Sequence, residues 1–318
     1  MKKIILIVPY FGKWPVWFDA HLLSIKENPT IDWLFYTDCG IPTEAPSNCT
    51  FIKSSLKEME TLFSTKIEVP IHIDKPYKLC DIKPSYGHVF EDDIKEYDFW
   101  GFTDIDIIWG NIRNQMNKGV LNTYDVISSR KGLISGHFNL FRNEDRINKL
   151  YRKNDWYKQS FTDCNMKRFC EGTFSDITKE ALKEGSIKVE WDKILCNKER
   201  GRDSHQEYYL DKWLWQDGRV LELEKEKPVK EVMYLHFINW KRTMKFCEVE
   251  YKDNPKQFYI SYTRMHYKPH SHFAKALNRF KNLFDGFYIR EGRRIRKLKR
   301  KSLKKRVVNK INKILGWK

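Results

Sequence analysis

The sequence predicts an α/β fold: a Rossmann-like mixed sheet flanked by helices, followed by a basic helical appendage. Three stretches carry that expectation. Ile4–Val8 is an unbroken run of β-branched residues and leucine, the pattern of a central strand covered on both faces. Ile31–Asp38 repeats the run after a helix-length interval, and Phe99–Trp109 is a third and longer one. Hydrophobic runs separated by helical intervals are what a sheet with helices packed on it requires.

Length and charge set the outline. The 318 residues suffice for one large α/β domain, expected over residues 1–262, with an appendage over 263–318. The net charge of +17 resembles a nucleic-acid signal. Its distribution argues otherwise: residues 1–263 hold 40 basic and 40 acidic side chains, whereas residues 264–318 hold 19 and 2. The body is neutral and the tail carries the whole excess. The seven cysteines are scattered and form no Cys-x-x-Cys pair, which fits reduced thiols in a cytoplasmic protein and excludes a zinc ribbon. The apolar run before Pro9 is too short for a secretory signal, and no stretch approaches the ~20 apolar residues of a membrane span.

The first strand breaks into the loop Pro9–Pro15. Open α/β sheets bind nucleotides where such a loop leaves the carboxyl end of a strand. Tyr10 and Phe11 offer stacking faces beside Pro9, Gly12 allows close approach, and Lys13 suits a phosphate. A helix is expected around Phe18–Lys26. Asp38, at the end of the second strand, suits a ribose hydroxyl or a uracil edge. A short third strand is expected at residues 50–53 and a helix at Leu56–Thr65.

In Lys78–Pro84, Asp81 and Lys83 share a face if the backbone is extended, whereas Lys78 and Asp81 share one if it is helical. Tyr86–Tyr97 reads as a helix on the sheet. Phe99–Trp109 then reads as a buried strand that ends by presenting Asp104 and Asp106, two apart and so on one face. Carboxylates among Phe, Trp and Ile need a partner, because an unpaired charge is costly to bury. A hard divalent cation, completed by the oxygens of a diphosphate, meets that need.

Downstream, Gly110–Val120 and Asn143–Lys153 read as helices, and Tyr124–Ser128 and Ile134–Arg142 as strands. Ser135, Gly136 and His137 open the latter strand with small and polar groups suited to contacting a ligand. Glu171, in the short run Phe169–Gly172, is the first candidate for a general base, with Asp176 as its substitute. Arg200–Tyr208 is polar enough to be a lid that excludes water. Val232–Phe237 reads as a strand that exposes His236, with Lys241 and Arg242 just beyond it.

The segment Phe102–Gly110, with the order of elements around it, resembles the metal-binding Asp-x-Asp strand of GT-A fold glycosyltransferases, in particular the bacterial capsule and lipopolysaccharide enzymes. The likeness covers about residues 1–245. It implies a nucleotide-sugar donor, UDP-linked, and a Mn²⁺ or Mg²⁺ ion held by Asp104, Asp106 and a C-terminal histidine, here His236. It places the Pro9–Lys13 loop and Asp38 at the donor, and Lys241 beside the leaving diphosphate. It also places Lys78, Asp81 and Lys83 near the nucleotide, and implies a saccharide or lipid-linked oligosaccharide as acceptor. An inverting enzyme would need a base such as Glu171; a retaining one would not.

In the tail, Phe273, Leu277, Phe280, Phe284 and Phe287 recur at helical spacing among basic residues. A basic amphipathic helix reads as a binder of anionic lipid, here the inner membrane face, and so as a peripheral anchor. Two other classes compete. A nucleotidyltransferase also uses paired acids, but it would want a Gly-rich loop where Pro9–Pro15 has one glycine. A nucleic-acid-binding protein would explain the tail and leave the acid pair unexplained.

Overall fold

In the computed structural model, the described residues are 1–193, 195–197, 208–223, 229–238 and 240–284, with Arg296, Lys299, Arg300, Leu303 and Val307 beyond them. The expected lid, apart from Tyr208, and most of the basic tail, including Phe287, lie outside the described residues.

The strands are β1 (Ile4–Tyr10), β2 (Ile31–Thr37), β3 (Cys49–Lys53), β4 (Phe99–Thr103), β5 (Ile107–Trp109), β6 (Val126–Ser128), β7 (Phe138–Arg142) and β8 (Val189–Glu190), then β9 (Trp213–Gln216), β10 (Arg219–Glu222), β11 (Lys230–Val232), β12 (Tyr234–His236), β13 (Phe246–Cys247), β14 (Gln257–Ile260) and β15 (Arg264–His266). The helices begin with α1 (Phe18–Lys26) and α2 (Leu56–Ile67). Shorter ones follow: α3 (Leu79–Ile82), α4 (Tyr86–Val89), α5 (Glu91–Ile94), α6 (Ile112–Gln115), α7 (Lys118–Thr123), α8 (Asp145–Asn148) and α9 (Trp156–Thr162). Then come α10 (Thr173–Lys183) and α11 (His272–Phe284).

A seven-stranded sheet in the order β3-β2-β1-β4-β7-β6-β8 forms the centre. β1, β2, β3 and β4 run parallel, and β7 is antiparallel to β4 and β6, so the sheet is mixed as expected. The continuous apolar run of β1 follows from cover on both faces. Ile5 and Ile7 enter the core under α2 and the helices after it, whereas Ile4, Leu6 and Val8 enter the core under α1. Gly101 in β4 is required by the tightness of the layer, since a Cβ there would stand 2.3 Å from the Asn139 carbonyl oxygen. The start of α2 is set by a capping box in which Ser55 and Glu58 satisfy each other's backbone N–H groups.

The second sheet, of six strands in the order β11-β10-β9-β14-β15-β13, was not foreseen. It packs Trp213, Trp215, Phe258 and Met265 against Ala20 and Leu23 of α1 and against Trp17. β15 hydrogen-bonds within this sheet to β14, so folded structure runs through the boundary expected at residue 262 and on into α11.

Other expectations change at the breaks. Phe99–Trp109 is not one strand: β4 leaves the central sheet at Thr103, and β5 pairs antiparallel with β12 in a separate ribbon. Tyr86–Tyr97, Gly110–Val120 and Asn143–Lys153 are each divided into short helical turns rather than single helices. The strand expected from Ile134 begins only at Phe138.

Candidate active site

The acid pair lies in the turn between β4 and β5. β12 runs beside β5 with His236 opposite Ile107, and this brings an imidazole from 130 residues downstream next to Asp106. Asn197 fixes the register of that histidine: it accepts from the His236 backbone N–H at 3.0 Å and donates to its carbonyl at 3.2 Å. One ligand atom from each of Asp104, Asp106 and His236 can be chosen so that all lie within 4.8 Å of one another. That is the spacing a single cation would bridge.

The two acids differ in surroundings. Asp104 is partly exposed, and its Oδ1 accepts from Lys83 Nζ at 2.5 Å. Asp106 is fully buried, with His236 Nε2 3.3 Å and Lys241 Nζ 2.9 Å from its Oδ2. Burial would raise the Asp106 pKa, but the charges of His236 and Lys241 outweigh it and hold the carboxyl well below the usual range. Both contacts fall on Oδ2, whereas Oδ1 is buried without a hydrogen-bond donor among the described residues. A buried carboxylate oxygen with unused lone pairs suits a metal ion. Burial likewise works against the charge on Lys83, yet Asp104 beside it prevails and its pKa is raised.

These groups open into a cleft of about 600 Å³. Its walls include Pro9, Tyr10 and Phe11 from the first-strand loop, with Lys83, Gly136 and His137. Lys83 also donates to the Gly136 carbonyl at 2.7 Å, which ties Asp104 to the loop that carries His137 into β7. The His137 ring stacks on His236 at 4.1 Å, and its Nδ1 lies 3.0 Å from the Tyr234 hydroxyl. Glu171 is on the wall, its Oε1 2.9 Å from Arg130 and 3.2 Å from the Gly136 N–H.

Other expected site residues are placed elsewhere. Lys13 and Asp38 are not on the cleft wall; Asp38 instead accepts from the Gly12 N–H at 2.6 Å, where Gly12 turns with a φ of 113°. Asp38 therefore shapes the loop that presents Tyr10. Ser135 is fully buried and spends its backbone N–H on Ser128 and Asn139. Asp176 lies on the outer face of α10, paired with Lys179 at 2.8 Å and 77% exposed.

Lys78 and Asp81 do not line the cleft. The segment is helical, and the two form a buried ion pair of 3.1 Å beside the cleft-lining Leu79 and Cys80. Lys78 also donates to the carbonyls of Ser160 and Asn165, while Asp81 accepts from the N–H groups of Lys167 and Phe169. Together they clamp the loop whose Met166 and Arg168 form a cleft wall. Sequence reasoning missed Arg168, Cys80 and the positioning role of Asn197; nothing local marks them, because each is defined by partners far along the chain. Burial pushes the Cys80 thiol up to about 11, so it is no thiolate nucleophile.

The fold and the site define a mixed α/β protein with a carboxylate–imidazole cluster at the carboxyl end of its central parallel strands. The chain belongs to DUF6625, a family of unknown function, whose model matches residues 6–269. No curated protein sequence matches it significantly. Among solved structures it is similar to an active-site mutant of LgtC, at 10% identity, over 73% of this chain and 86% of that chain, with a TM-score of 0.39. It is also similar to the galactosyltransferase LgtC with donor and acceptor sugar analogs, at 12% identity, over 59% and 72% of the two chains, with a TM-score of 0.32. Mouse xyloside xylosyltransferase 1 aligns at 9% identity, over 74% and 97%, with a TM-score of 0.41.

Proposed function

We propose that the protein is a metal-dependent glycosyltransferase of the GT-A type, which moves a sugar from a nucleotide diphosphate donor, a UDP-sugar, to a saccharide hydroxyl in surface polysaccharide assembly. The observation that carries this reading is the meeting of Asp104, Asp106 and His236 on a cleft that the first-strand loop also lines. Asp104, Asp106 and His236 would hold Mn²⁺ or Mg²⁺, the imidazole favouring the softer Mn²⁺. When bound, the ion supplies Lewis-acid stabilisation of the charge on the leaving diphosphate.

The chain's own residues provide the rest. With the acids committed to a cation, Lys83 and Lys241 are left to pair with phosphate oxygens, where fixed positive charge is worth most as negative charge develops. Tyr10 and Phe11 give apolar faces for the base, while Gly136 and His137 stand where the donor sugar would lie. Glu171 lines the same cleft and would accept the proton of an attacking hydroxyl in an inverting reaction. Its ion pair with Arg130 fixes its position.

The acceptor would be a saccharide or lipid-linked oligosaccharide of capsule or lipopolysaccharide type, reached at the cytoplasmic membrane face. No helix among the described residues is long and apolar enough to cross a membrane. A surface anchor is offered instead by α11, which turns Phe273, Leu277 and Phe280 outward at exposures of 58% or more, within the basic segment. The test is release of UDP from a panel of UDP-sugars offered with saccharide acceptors, in Mn²⁺ and in excess chelator. Turnover that persists in chelator, or in Asp106→Asn, sinks the proposal.

A further inference from the structure

A second cluster of ligating side chains lies outside the cleft, where the second sheet meets α11. Asp211, just before β9, is buried and adopts a left-handed φ of 51°. His266 ends β15, and His270 follows in the turn that leads to α11. Asp211 Oδ1 is 2.7 Å from His270 Nδ1 and 3.1 Å from His266 Nε2. One ligand atom from each of the three lies within 4.8 Å of the others.

His266 Nδ1 is 2.6 Å from the Lys268 carbonyl, and this contact orients the ring so that Nε2 points at Asp211 Oδ1, 3.1 Å away. Ser261 Oγ lies 3.0 Å from that Nε2 and 3.1 Å from Oδ1, closing the cluster on its fourth side. Asp211 Oδ2 is separately engaged by the His270 N–H at 2.7 Å and Lys275 Nζ at 2.9 Å. Thus one carboxylate oxygen is anchored and the other is turned to the imidazoles. An imidazole whose remaining N–H is tied to a backbone carbonyl is the outer-shell pattern of a ligating histidine.

We infer that Asp211, His266 and His270 form a second divalent-metal site, of the nitrogen- and oxygen-ligated zinc class. It staples the β14–β15 hairpin to the segment before β9 and to the start of α11. Its role is structural, and it is independent of the glycosyl-transfer reading, because none of its residues lines the cleft.

The test is Zn²⁺ titration of the full chain carrying Asp106→Asn, which disables the cleft site, followed by the same titration after adding His270→Ala. One equivalent bound in the first protein and none in the second is expected, with a rise in Tm that only the first shows. No uptake in the first protein, or uptake that survives His270→Ala, overturns the inference. Should His270→Ala fail to fold, imidazole ¹⁵N NMR of the unsubstituted chain decides. A His266 Nε2 signal that moves to a metal-bound shift on adding Zn²⁺ supports the site, and a doubly protonated His266 unchanged by Zn²⁺ refutes it.

Discussion

Lys241 Nζ and Asp106 Oδ2 lie 2.9 Å apart, the carboxylate fully buried and the lysine partly open to the cleft. The ammonium thus occupies ground that a cation would claim, and in the proposed reaction it moves on to a phosphate oxygen. Lys241→Ala is expected to tighten Mn²⁺ binding in the absence of donor, because a competing positive charge is gone. The same change should lower kcat by about 10²–10³-fold, the usual cost of losing one group that stabilises developing negative charge. Manganese EPR titration and steady-state kinetics check the two halves.

Lys78 and Asp81 give a contrasting expectation. Their ion pair is buried and braces the 160–169 loop rather than facing ligand. Removing one partner leaves a buried charge uncompensated, so Lys78→Ala should cost about 3–5 kcal/mol in urea denaturation. The fraction that remains folded should bind UDP as the unaltered chain does.

His21 supplies a pH dependence. It is buried on α1, its Nδ1 donating to the Ile107 carbonyl at 2.6 Å, and burial lowers its pKa from 6.5 to about 4. Since the unfolded chain takes up this proton at higher pH than the folded one, stability is full above pH 6.5 and falls as pH drops towards 4. The loss from this residue approaches about 3 kcal/mol. His21→Asn keeps a donor and removes the titration, so its stability should vary less across that window in denaturation at stepped pH.

How far the sequence could be read depended on whether the signal was local. β1, α1 and β2 were legible because both-face burial writes a continuous apolar run, and the meeting of Asp104, Asp106 and His236 was expected through the GT-A resemblance. β9 and β14 were not: each is four residues long and, besides a local hairpin with the next strand, pairs with the other across some forty positions. The Lys78–Asp81 pair reads the same in sequence whether it faces a ligand or a buried loop. α11 inverts the usual rule. Asn278 and Asn282 face inward and donate to the Tyr208 carbonyl, while Phe273, Leu277 and Phe280 face out.

That inversion predicts membrane behaviour. Phe273 and Phe280 are 77% and 62% exposed, so Phe273→Glu with Phe280→Glu should leave the fold unchanged. Vesicles containing anionic lipid should sediment the unaltered chain in a salt-sensitive manner. The double substitution should weaken that binding tenfold or more, by an estimate of about 0.8 kcal/mol per buried methylene lost. Equal sedimentation of both proteins would assign the tail another role.

The most direct measurement is the thermal unfolding of the full chain with UDP, with and without Mn²⁺, for the unaltered protein and Asp106→Asn. A ligand that binds only the native state must raise Tm. The account predicts a rise that needs UDP and Mn²⁺ together, vanishes in chelator, and is absent from Asp106→Asn. A rise with UDP that ignores the metal, or that persists in Asp106→Asn, would contradict it.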